Sequence, residues 1–253
     1  MKSLPITSKQ LEILKLLYKF RFLNTNQFKS LLNHKNPTRI QVWLKDLVQK
    51  EYVYSNYERN KFGQNTKPSV FHLLPKARYI LKKLEGCDYS VLNKIYKEGQ
   101  RSKSFINNAL FLADIYLSLK KQTTSEIKLY FFTKVDLLAY NYLPNPLPDA
   151  YIALKESKQT KRYFMLLLEE KAPRYALAGK IKKYINYSES SRWEENNQNR
   201  PYPATLIICP DYPKKRFITK FINEHSPREP FYLTTKNTIR LKGIKKDIWE
   251  KVE

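Results

Sequence analysis

Six consecutive apolar residues, Tyr163-Phe164-Met165-Leu166-Leu167-Leu168, stop abruptly at Glu169-Glu170-Lys171. The run is far short of the ~20 residues that cross a bilayer, and it lacks the 3.6-residue rhythm of an amphipathic helix. An unbroken apolar run of this length reads as a central strand covered on both faces, the kind found in α/β sheets. Its neighbours fit that sheet. Apolar runs at 127–135, 149–154, 204–209 and 231–234 predict further strands, and 177–187 and 213–223 predict helices, the first with Ile181, Tyr184 and Ile185 inward. A helix opening at Ser102, with Phe105, Ala109, Leu112, Ala113, Tyr116 and Leu117 on one face, precedes them all. The order predicts a three-layer α/β domain with a mixed sheet over 102–253. Only five glycines in 253 residues argue against a Gly-rich dinucleotide fold or a propeller.

The first part of the chain has a different rhythm. Thr7 with Gln10, and Asn24 with Gln27, each have the spacing of a capping box ahead of an apolar stripe. Asn36 followed by Pro37 marks a third helix start, because proline's missing N–H costs nothing at the first helical position. That third helix is expected to bury Ile40, Trp43, Leu44, Leu47 and Val48. Its other face presents Thr38, Arg39, Gln41, Lys45 and Gln49, with Asp46 its one acid. Two β-type runs at 52–57 and 69–74 flank a long basic tip holding Arg59, Lys61 and Lys67. Pro75 then begins a helix with Ala77, Ile80, Leu81 and Leu84 at core spacing. Three helices, a hairpin and a helix are the order of a winged helix-turn-helix, predicted over 1–86, with 87–101 as a basic helical connector.

Charge narrows the function. Forty-seven Lys and Arg against 23 Asp and Glu leave a formal net charge of +24. The excess falls equally on 1–100 and 101–253, so the shorter stretch is the more densely charged. Such a chain most often meets a polyanion, and nucleic acid is the usual one, because each neutralised phosphate releases condensed counterions. The basic residues do not gather on one long amphipathic helix, which argues against a membrane surface. Two cysteines and three scattered histidines exclude a disulfide framework and make a zinc enzyme a poor fit. No signal-peptide core follows the N-terminal MKSLPITSKQ, so a cytoplasmic protein is expected.

The chemistry-bearing constellation is Pro148-Asp149 followed some twenty residues on by Glu169-Glu170-Lys171. Strand side chains alternate faces, so Glu169 and Lys171 are expected to project together and Glu170 to point away. Asp149 and Glu169 could then share one Mg²⁺, relieving their mutual repulsion, with Lys171 beside the attacking water. Lys180 would add a phosphate contact. Without the ion, one of the two carboxyls is expected to be harder to ionise. On the third helix, Arg39 or Gln41 could reach base edges. Arg59, Lys61 and Lys67 are expected to hold phosphates.

These residues resemble the replication-relaxation family of plasmid and other mobile-element proteins. The likeness is carried by residues 7–17, by IQVWLKDLVQKEYV at 40–53, by FHLLPKARYIL across Pro75, by PDAYI and FMLLLEEK, and by 180–184. It implies a winged helix followed by a restriction-endonuclease-like domain of the PD-(D/E)xK type. Ala77 and Asn108 stand where the family commonly has Gly and His, and Glu169-x-Lys171 where it commonly has Glu-x-Asp. Three functions follow as expectations: a DNA-binding protein acting in replication, relaxation or mobilisation, a Mg²⁺-dependent DNA endonuclease, or a transcriptional regulator with an inactive nuclease-like domain. The expected partner is double-stranded DNA. A homodimer could form through 89–101 or through a C-terminal helix near Ile244, Ile248 and Trp249.

Overall fold

A computed structural model describes residues 6–56, 68–157 and 159–252. The chain divides into two compact units, Met1–Leu117 and Ser118–Glu253. In the first, α1 (Ser8–Phe20) leads through a two-residue strand β1 (Leu23–Asn24) to α2 (Thr25–Leu32) and α3 (Pro37–Gln49). β2 (Val53–Asn56) and β3 (Val70–Leu73) follow, and β3 lies between β1 and β2, antiparallel to both. The basic tip with Arg59, Lys61 and Lys67 falls outside the described residues.

Both capping boxes form as their spacing demands, each cap oxygen and each Gln closing on the other's backbone N–H. Gln27 does more. Its amide nitrogen donates to the Leu110 carbonyl (2.8 Å) and to the Asp114 carboxylate (2.7 Å), both on α6 (Lys103–Gln122). Phe22 and Arg21 pack on Phe105 of the same helix, and Phe20 on Tyr116. Glu98 is buried between Arg21 and Arg101. These contacts gather 87–117 into the first unit, where a helical connector over 87–101 and a second domain from Ser102 were expected.

Other differences are local. The Pro75 helix is a 3₁₀ turn (Pro75–Ala77) and a single turn, α4 (Arg78–Leu81); the connector is another single turn, α5 (Tyr89–Leu92), and a 3₁₀ stretch (Ile95–Gln100). Trp43 is half-buried, with its ring edge-on to His34 at 5.0 Å.

The second unit holds a six-stranded sheet in the order β4 (Ile127–Thr133), β5 (Ala150–Glu156), β6 (Gln159–Leu167), β7 (Ala204–Cys209), β8 (Phe231–Thr235), β9 (Glu250–Lys251). β4, β5 and β6 are mutually antiparallel neighbours; β6, β7 and β8 run parallel, and β9 closes antiparallel on β8. Two helices, α7 (Lys134–Leu137) and α8 (Arg174–Ser188), lie on either side of the β5–β6 hairpin in sequence; α9 (Arg192–Asn196), α10 (Tyr212–His225) and α11 (Lys236–Lys242) complete the set. Phe164 through Leu168 are all buried, as a strand covered on both faces requires. Phe164, Leu166 and Leu168 share a core with Leu177, Ile181, Tyr184 and Ile185 of α8. The expected C-terminal helix is instead a 3₁₀ turn (Lys246–Ile248) and the two residues of β9. Ile244 and Ile248 are buried, so neither offers the apolar surface proposed for a dimer. Among the described residues, no helix is long and apolar enough to cross a membrane.

His72 on β3 is 4 % exposed, flanked by Phe22 and Tyr54 at 5.3 Å each, and its Nδ1 has no hydrogen-bond partner. Burial pushes its pKa down to about 4. A base that is harder to protonate when folded than when unfolded stabilises the fold above its unfolded pKa of about 6.5, and that stability falls as pH drops from there toward 4. Denaturant titrations of wild type should lose on the order of 3 kcal/mol across that window. His72→Leu should flatten the slope; an unchanged slope would place the titration elsewhere.

Candidate functional site

The parallel strands β6, β7 and β8 end at one edge of the sheet. β4 also ends there, and β5 begins there, as alternating directions require. Side chains just beyond those ends converge by topology alone: Lys134 after β4, Asp149 before β5, Glu169 and Glu170 after β6, Asp211 after β7 and Lys236 after β8. Crevices outside the carboxyl ends of strands are where open α/β sheets place their ligands.

Asp149 is held from every side. Its backbone N–H donates to the Met165 carbonyl at 2.8 Å, which aligns it with β6. The turn that delivers it is pinned by the buried Tyr184 hydroxyl, which donates to the Pro146 carbonyl at 2.8 Å. One carboxylate oxygen accepts from Lys134 Nζ (2.7 Å). The other accepts from the Leu167 backbone N–H (2.7 Å) and Lys180 Nζ (3.3 Å). The Asp149 side chain is only 16 % exposed. Burial alone would raise its pKa. Lys180, Lys134 and the Leu167 N–H outweigh that and hold it down at about 2. Asp149 is thus not a carboxyl made harder to ionise, as was expected of one of the pair: two ammonium groups lie within ion-pair distance of it.

Glu169, Glu170 and Lys171 stand differently from the alternation drawn from sequence. β6 ends at Leu167, so all three are exposed in the turn leading to α8, and strand parity no longer applies. Up to that point parity follows Phe164, Leu166 and Leu168 on the α8 face, the face from which Lys180 reaches Asp149.

The half-buried Lys236 ammonium has its pKa pulled down by burial; Glu170 opposes this most among the carboxylates, ahead of Asp149 and Glu169, while Arg240 adds to the lowering. Lys214 Nζ donates to the Glu170 carbonyl (2.7 Å) and to Asp211 (3.2 Å).

Sequence reasoning missed Lys134 and Lys236. Both are the first residue after a strand at the same sheet end, a signal visible once strand directions are known. To ligate a cation, Asp149 would have to release the two lysines that now fill its oxygens; among the described residues, no group of three or more His, Cys, Asp or Glu is placed to hold a metal ion.

In the first unit, Thr38, Arg39, Gln41 and Lys45 are all exposed along α3, beside Val42. Asp46, the one acid on that helix, is turned away into a contact with Gln10 and a 2.6 Å ion pair with Lys50, which holds its pKa below the usual carboxylate range. The outward face of α3 is therefore cationic and hydrogen-bonding.

Residues 14–202 match the family model described as replication-relaxation. No curated protein matches the chain in sequence. Among solved structures it is similar to the restriction endonuclease FokI, with a TM-score of 0.34 and 12 % identity over 95 % of this chain and 45 % of that one. FokI bound to DNA gives 0.31 and 11 % over 95 % and 46 %. The chain thus spans less than half the length of the FokI chains it matches.

Because the Asp149 pKa is lower folded than unfolded, its stabilisation is present above about pH 4 and is lost as pH falls toward 2. Asp149→Asn keeps an acceptor for Leu167 but removes the charge. It should cost about 2 kcal/mol at neutral pH and only about 0.4 kcal/mol at pH 2, where half of Asp149 is already protonated. Urea midpoints at both pH values would test this, and an equal loss at both would mean the ion pairs contribute nothing.

Proposed function

The chain belongs to the replication-relaxation family, and from that premise we propose that it is a DNA-binding protein of a plasmid or other mobile element, acting in the cytoplasm in replication, relaxation or mobilisation. The observation that carries the reading is the exposed face of α3. Four side chains able to contact bases or phosphates, Thr38, Arg39, Gln41 and Lys45, share it, and its one acid is neutralised behind it.

We read α1 to β3 as a winged helix whose third helix enters the major groove of duplex DNA. The short α2 and the Pro-initiated α3 form the bihelical unit such recognition uses. Arg39 and Gln41 are the residues with bidentate reach to base edges. Lys45, with Arg59, Lys61 and Lys67 of the tip, would neutralise phosphates, positioning without specifying.

The six-stranded unit is read as a nuclease-type sheet used in DNA association. An endonuclease would need Asp149 and Glu169 to share Mg²⁺ beside Lys171. Asp149's two lysines and the exposed turn position of Glu169 and Lys171 favour the non-hydrolytic reading. Lys180 belongs with Asp149 as its ion-pair partner, and any phosphate contact it makes would be shared with that role.

Gel-shift titrations at fixed salt test the α3 reading. Arg39→Ala should cost ~1–3 kcal/mol at the preferred duplex site and little elsewhere, whereas Lys45→Ala should weaken all duplexes alike and reduce the salt slope by about one. Unchanged duplex affinity in both variants would refute it. Incubation with supercoiled plasmid and Mg²⁺, Mn²⁺ or EDTA addresses hydrolysis; metal-dependent nicking abolished by Asp149→Ala would restore the endonuclease.

A further inference from the structure

The stretch from Pro75 to Arg101 carries chemistry that α3 does not use. Its apolar side chains point inward: Ala77, Leu81, Leu92 and Ile95 are buried. Outside stand three tyrosines, Tyr79, Tyr89 and Tyr96, exposed by 56, 65 and 60 %. An aromatic ring stabilises a fold chiefly by being buried, so three rings left in water within eighteen residues do little for this one.

Cations lie over two of them. Arg78 and Lys82 lie 5.2 and 5.4 Å from the centre of the Tyr79 ring, and Lys97 lies 5.6 Å from that of Tyr96. Arg78 also donates to the Asn93 side chain and to the Tyr79 hydroxyl, each at 3.4 Å. Asn93 follows α5, its N–H bonded to the Tyr89 carbonyl, so Arg78 ties α4 to the C-terminal end of α5. Lys76, Lys83 and Lys94 are exposed on the same stretch. Two of its three acids are occupied: Glu98 is buried against Arg21 and Arg101, and Asp88 caps α5 through the N–H groups of Ser90 and Val91.

We infer that this face binds single-stranded nucleic acid, with the tyrosine rings stacking on bases while Arg78 and the lysines hold phosphates. Aromatic platforms set in a cationic groove are what unpaired strands recognise, since every base offers a π-face. A duplex hides those faces within its own stack and leaves the rings without a partner. A second copy of the chain would bring like charge against like across the contact. The inference is independent of the role given to α3.

The test uses the full chain and fluorescence anisotropy at fixed salt in EDTA, with labelled oligo(dT), an abasic strand of equal length and the preferred duplex. Replacing Tyr79, Tyr89 and Tyr96 together by Ala should weaken oligo(dT) binding by about tenfold or more. Replacing them by Phe should preserve it, and circular dichroism should show both variants folded. The abasic strand should bind wild type more weakly than oligo(dT) and be indifferent to the Ala changes. Duplex affinity should stay put, while Arg39→Ala gives the reverse pattern, so either reading can fail alone. Unchanged oligo(dT) affinity in the triple Ala variant, or equal wild-type affinity for abasic and thymidine strands, overturns the inference. So would a shift in oligomeric state by light scattering with no change in oligo(dT) binding.

Discussion

One largely buried carboxylate organises the sheet end of the second unit. Asp149 ties three separate elements to one point: α7 through Lys134, β6 through the Leu167 N–H, and α8 through Lys180. An ionised group that is 16 % exposed is tolerable only when its charge is matched and its lone pairs are filled, and here both conditions hold. Removing either lysine would leave a partly compensated anion against apolar β6. The geometry of every group beyond the strand ends, Glu170 and Lys236 included, is therefore set relative to a carboxylate that cannot move far.

The first unit depends on a comparable economy of polar groups. Gln27 closes a capping box and, with the same side chain, bonds the backbone and a carboxylate of α6. Asp46 does the opposite service on α3, since its capture by Gln10 and Lys50 removes negative charge from the outward face. Gln27 and the Gln10–Asp46 contact both join helices far apart in sequence, and each links a local signal to the presentation of a surface.

Much of this architecture was legible from residue order. Thr7/Gln10, Asn24/Gln27 and Asn36-Pro37 located three helix starts, because capping is local chemistry. The run ending at Leu168 located the central strand, because burial on both faces leaves no polar residue to interrupt it. What was not legible lay in pairing. Asp149 was recognisable as unusual, yet its partner Lys134, like Lys236 at the same sheet end, follows a strand whose direction only the assembled sheet reveals. The parity of Glu169 and Glu170 failed for a related reason: the chain leaves β6 one residue before the apolar run ends, and alternation has no meaning in a turn. Helical rhythm after Pro75 likewise overstated helix length, since Ala77 and Leu81 are buried within single turns.

The two-residue β9 has a consequence for how the molecule behaves among its own copies. β8 would otherwise present a five-residue row of backbone donors and acceptors at the margin of the sheet, a template for any extended chain nearby. β9 covers part of that row and then stops. It faces outward with exposed Glu250 and Lys251, and Glu250 is tethered to the buried Lys215 of α10. A margin this short and this charged resists the edge-to-edge association that leads to aggregation. That protection matters in a chain rich enough in β-forming apolar runs to be at risk whenever it is made in quantity.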